Sequence, residues 1–412
     1  MKRPLSKRTC TSLLLLAGMI LLYIPACKKD QEATPGTSTP TPAPGGDPGQ
    51  IPADHTPQLP AVLYNYVHTG QEMPPYLQQF LRNNPDIDNT PDDNPITNTG
   101  ATLGRVLFYD KLLSVNNKTA CASCHHQDKA FTDGVAFSEG FDGRLTRRNS
   151  MSLVNVRFFK DKNMFWDMRA ANLETQTLMP ILDHLEMGMP DLPALEQKLG
   201  ATTYYPGLFR AAFGSPAVTA DKISRALSQF LRSIVSFRSA YDEGVANNFA
   251  AFTAEENRGR RLLSVNFCTE CHSDLANATF GQTPSYLIVD NSGRNRGFGS
   301  NNGLETNYTD KGIGEITHLP EDQGTFKIPS LRNVELTAPY MHDGRFATLD
   351  ATLEHYSTGV KQNPNIGIQL GGLSSGGIHL SAQDKKDIIA FLKTLTDHQM
   401  TKDPRYANPF KD

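Results

Sequence analysis

The sequence predicts an all-α protein made of two small helical domains of one design, with long irregular loops. Two observations carry this. Apolar residues recur three and four positions apart, most clearly at Ile223, Ala226, Leu227, Phe230, Leu231, Ile234 and Val235 between Asp221 and Phe237, which is the period of a helix with one buried face. One order of elements also occurs twice: a helix, a Cys-x-x-Cys-His motif, an irregular loop and a closing helix.

The chain has 412 residues and a formal net charge of -3, with 38% hydrophobic and 20% charged residues. That length allows two or three domains around a large buried core. The near-neutral charge gives no sign of nucleic acid or an anionic membrane surface as partner.

The first element is a targeting segment. Lys2, Arg3, Lys7 and Arg8 are basic, and the apolar run Leu13–Ile24 is too short for a comfortable membrane span. It ends in Ile24-Pro25-Ala26-Cys27, which resembles a bacterial lipoprotein cleavage box. Residues 1–26 are therefore expected to be a signal peptide, with Cys27 a lipid anchor that holds the protein in the periplasm or cell envelope. The alternative is an ordinary signal peptide with an incidental Cys. Residues 27–60, rich in Pro, Gly and Thr, bury too little to fold and read as a tether.

Residues 61–243 are the expected first domain and 244–412 the second. Leu103, Val106, Leu107 and Leu112 carry helical spacing up to Cys121-Ala122-Ser123-Cys124-His125. An irregular loop covers 126–160, and 169–200 reads as helix interrupted at Pro180 and Pro190. The polar stretch Asp242–Asn248 is taken as the boundary. Thr253-Ala254-Glu255-Glu256 is a capping box that opens a helix through Leu262 and Leu263. That helix leads into Cys268-Thr269-Glu270-Cys271-His272, and a long loop over 274–325 follows. Ser381 caps a last helix, apolar at Ile388, Ile389, Leu392 and Leu395.

The two Cys-x-x-Cys-His motifs identify the cofactor. Two thiols three residues apart on one short turn can both add to the vinyl groups of one porphyrin, and the next residue, His, is placed under the iron. One copy alone is compatible with a redox pair or half a zinc site. Two copies in an exported chain predict two covalently attached haem c groups, held by Cys121, Cys124 and His125 and by Cys268, Cys271 and His272. Cys10 leaves with the leader and Cys27 is the anchor, so none of the six cysteines remains for a disulfide. Each domain is then expected to be cytochrome c-like.

Several longer stretches carry a resemblance. They include Leu103-Gly104-Arg105, Phe108-Tyr109-Asp110, Ala130-Phe131-Thr132-Asp133-Gly134, Arg148-Asn149-Ser150 and Phe165-Trp166-Asp167. In the second half they are Ile328-Pro329-Ser330-Leu331-Arg332-Asn333 and Leu336-Thr337-Ala338-Pro339-Tyr340-Met341-His342-Asp343-Gly344. In this order, over roughly residues 99–400, the chain resembles bacterial di-haem cytochrome c peroxidases and their MauG-type relatives. The resemblance implies a peroxide site at the haem on His125 and an electron-relaying haem on His272. Glu186 and Gln176 lie ten residues apart, as do Gln176 and Trp166, spacings similar to the family's distal Glu, distal Gln and inter-haem Trp. Glu186 would take a proton from peroxide and return it to the leaving oxygen, Gln176 would hydrogen-bond the oxygens, and Trp166 would relay electrons. Taken singly, these are a helix Glu, a surface Gln and a core Trp. Pro180 resembles a Pro that shapes this pocket.

Two departures from the family pattern matter. Many di-haem peroxidases carry a His before the Arg-Asn-Ser motif that caps the first haem at rest. Here Ser138–Arg148 contains no His and no Met, so the first haem is expected to stay open without reductive activation. His126 follows the proximal ligand too closely to replace it. Ordinary peroxidases also place a Met fourteen residues after the His of Tyr-x-His-x-Gly, whereas here that position is Tyr356, as in MauG-type proteins. A thioether raises a haem's potential, whereas a phenolate favours high-valent iron. Adjacent His355 is the rival ligand. Leu349, Leu353 and Tyr356 share one helical face, from which His355 points about 100° away.

The resemblance also implies one calcium ion between the haems, bound by Asn149 and the carbonyls of Thr337 and Pro339. His55, His68, His184, His318 and His398 show no partner pattern, although His184 is close enough in sequence to Glu186 to touch the pocket. Three functions follow. The first is a peroxidase that reduces hydrogen peroxide with electrons from a small cytochrome or copper protein. The second is a MauG-like oxidase that draws electrons from side chains of a partner protein. The third is a non-catalytic electron carrier, which would have no use for a buried Glu186 beside an open iron.

Overall fold

The computed structural model describes residues 55–67, 72–83, 85–159, 163–272, 299–367, 370 and 376–410. The leader, Cys27, most of the tether, His68 and residues 274–298 of the second loop lie outside the described residues.

The first core is built on α2 (Asn98–Tyr109) and α6 (Ala220–Ser233), with α1 (Pro75–Asn83), α3 (Leu173–Leu182), α4 (Leu192–Gly200) and α5 (Tyr205–Phe213) around them. Side chains that accept from first-turn amides start four of these helices: Thr97, Asn172, Asp191 and Thr219. Helix α6 buries Ile223, Ala226, Leu227, Phe230 and Leu231, the stripe read from the sequence. It crosses α2 at Gly104, where a Cβ would stand 2.0 Å from the Ala226 carbonyl oxygen. Only a glycine lets the two backbones approach that closely.

The second core repeats this arrangement. Helix α7 (Ala240–Ala246) leads to α8 (Ala254–Val265), and the short α9 (Cys268–Cys271) carries the second attachment motif. After α10 (Gly314–Thr317) and α11 (Leu349–Glu354), α12 (Ala382–Lys393) closes the domain by packing on α8. Both the Thr253–Glu256 and Ser381–Asp384 capping boxes form. The crossing again sits on a glycine: a Cβ on Gly259 would lie 2.0 Å from the Asp387 carbonyl oxygen. In each pair a phenylalanine of the closing helix, Phe230 or Phe391, packs at the crossing.

Several expectations need correction. The structure is mostly helical, but Gly299–Ser300 and Phe326–Lys327 pair as a two-residue antiparallel ribbon, so it is not purely α. Pro180 does not interrupt its helix; it lies inside α3. It cannot donate to the Gln176 carbonyl, and this weakens the last turn at the pocket. The supposed break at Asp242 is helix α7. Asp242 is 3% exposed and takes two hydrogen bonds from Arg332, at 2.7 and 2.9 Å. Its polarity signals a buried ion pair, not solvent.

Both ends of the described chain belong to the first core. His55, placed in the tether by the sequence, lies with Nε2 3.0 Å from Asp110 and stacks on Phe410. Met400 and Tyr406, assigned to the second domain by position, are buried in the first core. Arg105 donates to the Pro404 carbonyl at 3.0 Å and Tyr66 to that of Arg405 at 2.9 Å. Once α12 has ended, the chain returns to the first core, where Tyr406 packs on Phe131 and on Phe230 of α6 and gains by leaving solvent. Among the described residues no helix is long and apolar enough to cross a membrane.

Candidate active site

The first attachment motif forms a short 3-10 turn, Cys121–Ser123. The Ser123 hydroxyl accepts from the Ala120 amide at 3.0 Å, and the His125 amide donates to the Cys121 carbonyl at 3.1 Å. These bonds set both thiols and the His ring on one side of the turn. His125 Nδ1 lies 2.7 Å from the Phe131 carbonyl. That pairing fixes the tautomer and leaves Nε2 as the atom available to a metal. Burial lowers the ring's pKa and keeps it neutral.

A cavity of about 420 Å³ opens above this turn, lined by Cys121, Cys124, His125, Trp166, Gln176, Pro180 and Glu186 among others. The structure therefore brings together the residues that the sequence spacing singled out. Glu186 sits on the turn that follows α3, and burial pushes its carboxyl up to about 7; Asp183 adds to the rise, while Arg169 and Arg147 oppose it. Gln176 Oε1 is buried without a hydrogen-bond partner. An orphaned acceptor of this kind costs about 1–3 kcal/mol, and a ligand in the cavity would satisfy it.

The loop Ser138–Arg148, which lacks a capping His, is a small hairpin bridged at Glu139 and Leu145. It is pinned to the Glu186 turn: the Phe141 amide donates to the Glu186 carbonyl at 2.9 Å. A Cβ on Gly140 would lie 1.8 Å from the Leu185 oxygen. His184 points to solvent with a side chain 65% exposed, and neither it nor His126 lines the cavity.

A second cavity, of about 320 Å³, contains Cys268, Cys271 and His272. Burial lowers His272 to about 4; the Pro329 carbonyl opposes this without a well-formed bond to Nδ1. Burial pushes the Cys121 and Cys268 thiols up to about 12 and Cys124 up to about 11. Protonated thiols are not the ligands a zinc-thiolate site uses. Among the described residues, no group of three or more His, Cys, Asp or Glu side chains is arranged to hold a metal ion. Asn149, Thr337 and Pro339 are all among the residues that line this second cavity.

Tyr356 lines the second cavity and His355 does not. The residues follow α11 in one π turn, His355–Gly359, a distortion common at functional sites. His355 Nε2 is instead held 2.9 Å from the Asn302 carbonyl. Burial raises the Tyr356 pKa above its ordinary value, so its phenolate requires a cation against it.

Trp166 lines both cavities. Its indole N–H donates to the Asn149 carbonyl at 2.9 Å, and the Asn149 amide donates to the His342 carbonyl at 2.8 Å. Sequence reasoning missed Lys327, a buried cation that also lines both cavities, with Nζ 3.5 Å from the Phe159 ring centroid. Its signal was its place just before Ile328-Pro329-Ser330.

An internal repeat explains how the two sites differ. The bridge Met164–Ala170 before α3 matches the bridge Tyr340–Phe346 before α11, and the N-caps Asn172 and Thr348 correspond. At the same constant offset Trp166 matches His342, and Pro180 matches Tyr356. One fold position thus carries a phenol in one cavity and a ring with no ligating atom in the other.

Residues 98–249 match the family described as di-haem cytochrome c peroxidase. The chain is 30% identical over 309 residues to the methylamine utilization protein MauG of Methylorubrum extorquens, covering 74% of this chain and 80% of that one. It is 31% identical over 303 residues to cytochrome c551 peroxidase of Nitrosomonas europaea, covering 73% and 80%. Among solved structures, a MauG-like protein associated with microbial copper homeostasis superposes with a TM-score of 0.66 at 34% identity, covering 77% of this chain and 95% of that one.

Proposed function

The chain belongs to the di-haem cytochrome c peroxidase family, in its MauG-like branch, and is a peroxidase-type oxidoreductase, from which we propose that it reduces hydrogen peroxide in the first cavity with electrons relayed through the second. The carrying observation is Glu186, a half-buried carboxyl raised to about 7 in the cavity that holds His125.

When bound, each haem supplies an iron that exchanges single electrons, and the one in the first cavity reacts with peroxide. His125 and His272 would hold the irons, with the Cys pairs attaching the porphyrins. The Glu186 carboxylate takes a proton from the near oxygen of peroxide and returns it to the far oxygen, so that water leaves. The Gln176 amide orients those oxygens. Pro180 would leave its part of the first cavity's wall without a ligating atom, and Tyr356 would close the second site. Trp166, at the wall of both cavities, would carry electrons between them. A small cytochrome or copper protein would donate them.

A second reading rests on Tyr356 in the second cavity. It makes the chain a MauG-like oxidase that draws electrons from side chains of a partner protein. One experiment tests the peroxide step common to both: electron paramagnetic resonance of the oxidised holoprotein before and after one equivalent of peroxide. One high-spin and one low-spin haem, both bleached, support it. Two low-spin haems inert to peroxide overturn it.

We also propose a calcium ion at Asn149, Thr337 and Pro339, supported by their place in the lining of the second cavity and by hard oxygen donors. Removing it with a chelator is expected to slow electron transfer between the haems, with recovery on adding calcium back; an unchanged rate in calcium-free protein would discard the site. Periplasmic anchoring through Cys27 is likewise a proposal, carried by the leader. A Cys27→Ser chain should then appear in the soluble envelope fraction.

A further inference from the structure

Behind the first attachment turn lies a cluster of ionisable side chains that the peroxide chemistry does not use. Asp110 is fully buried. Its Oδ2 accepts from the Tyr204 hydroxyl at 2.6 Å and the Tyr205 hydroxyl at 2.8 Å. Its Oδ1 accepts from the Leu112 amide at 2.8 Å and lies 3.0 Å from His55 Nε2. Lys198 also faces this carboxylate; burial lowers its amine to about 8, and its Nζ donates to the Ser114 carbonyl at 2.6 Å.

The two phenol rings are 4.6 Å apart between centroids. Tyr205 is wholly buried, packs in the core against which Cys121 lies, and is close enough to feel charge on Cys121. Tyr204 is partly exposed, and its ring meets His55 edge-on. The His55 side chain is 18% exposed. Aromatic rings thus lead from the first haem's attachment point to the surface. A phenol held neutral by burial gives up an electron readily only if its proton leaves with it, and a hydrogen-bonded carboxylate is a ready acceptor. Among the described residues the second domain lacks this device. Asn266 caps α8 where Asp110 caps α2, and its amide turns back to the Leu262 carbonyl at 2.9 Å.

We propose that Tyr204, Tyr205 and Asp110 form a proton-coupled redox site that lets a one-electron reductant at the surface serve the first cavity. This rests on the peroxidase reading. Tyr205 gives one electron to the peroxide-oxidised centre and its phenolic proton to Asp110 Oδ2. Tyr204 then reduces Tyr205 by one electron. The proton on Oδ2 returns to Tyr205, and the Tyr204 proton replaces it. The net result is a Tyr204 phenoxyl radical and a protonated Asp110, with one of the two electrons that turn hydrogen peroxide into two waters delivered; the protons of those waters come from solvent. A one-electron reductant then restores Tyr204 as the Asp110 proton returns to its oxygen, and a second passage supplies the second electron.

The test mixes holoprotein with one equivalent of peroxide without reductant. It follows haem and radical signals by electron paramagnetic resonance, using chain grown with ring-deuterated tyrosine, and maps nitroxide-trapped radicals by peptide mass spectrometry. A radical signal that narrows on deuteration, with an adduct at Tyr204, is expected. Tyr204→Phe should lower the radical yield about tenfold. Asp110→Asn, which keeps the side chain's shape but not the proton acceptor, should do the same. Should a variant not fold, the wild-type adduct map still decides. Haem signals bleached by peroxide with adducts only elsewhere overturn the relay and leave the peroxide reading standing. Haem signals unmoved by peroxide overturn both.

Discussion

Replacing Glu186 by Gln should slow the reaction with hydrogen peroxide by between about a hundredfold and about ten-thousandfold, the usual contribution of a positioned acid-base group. Both haems should remain attached, because Glu186 has no part in the Cys turns. In stopped-flow measurements the wild-type rate should rise with pH until about 7 and then level off. The sign follows from the role: the group must be unprotonated to accept a proton, and burial raises its pKa to about 7. The Gln variant should lose this inflection. An unchanged rate in that variant would remove Glu186 from the chemistry, and an inflection that survives would assign it to another group.

Tyr356→Phe should convert the second haem from low-spin to high-spin in the resting ferric protein. A phenyl ring has no ligating atom, and His355 is held by the Asn302 carbonyl on a different side of the π turn. His355→Ala should leave the low-spin signal in place. The reverse pattern, with Tyr356→Phe still low-spin and His355→Ala high-spin, would give the ligand to His355. The two single substitutions therefore separate the rivals without a double mutant.

Much of the local structure was legible because local physics sets it. The α6 stripe, the Thr253 and Ser381 boxes and the two attachment turns depend on neighbours within a few residues. Tyr356 does lie in the cavity wall and His355 outside it, but across a π turn and not on the α-helical face that the spacing implied. What failed was non-local. Asp242 read as a solvated break because its partner Arg332 lies far along the chain. Asp110 read as part of a family motif, and nothing nearby announces Tyr204, Tyr205 or His55 around it. Pro180 read as a helix interruption when propensity alone was consulted. Laying the two halves side by side would have matched it to Tyr356, so that signal was present and went unused.

Met400 and Tyr406, buried in the first core, set an order on the protein's assembly. Chains are made from the N-terminus, and early domains generally fold first. Here the first domain lacks part of its own interior until residues 400–406 have been made. Cys121 and Cys124 therefore emerge while the core around them is unfinished, in a cradle that the later segment shuts.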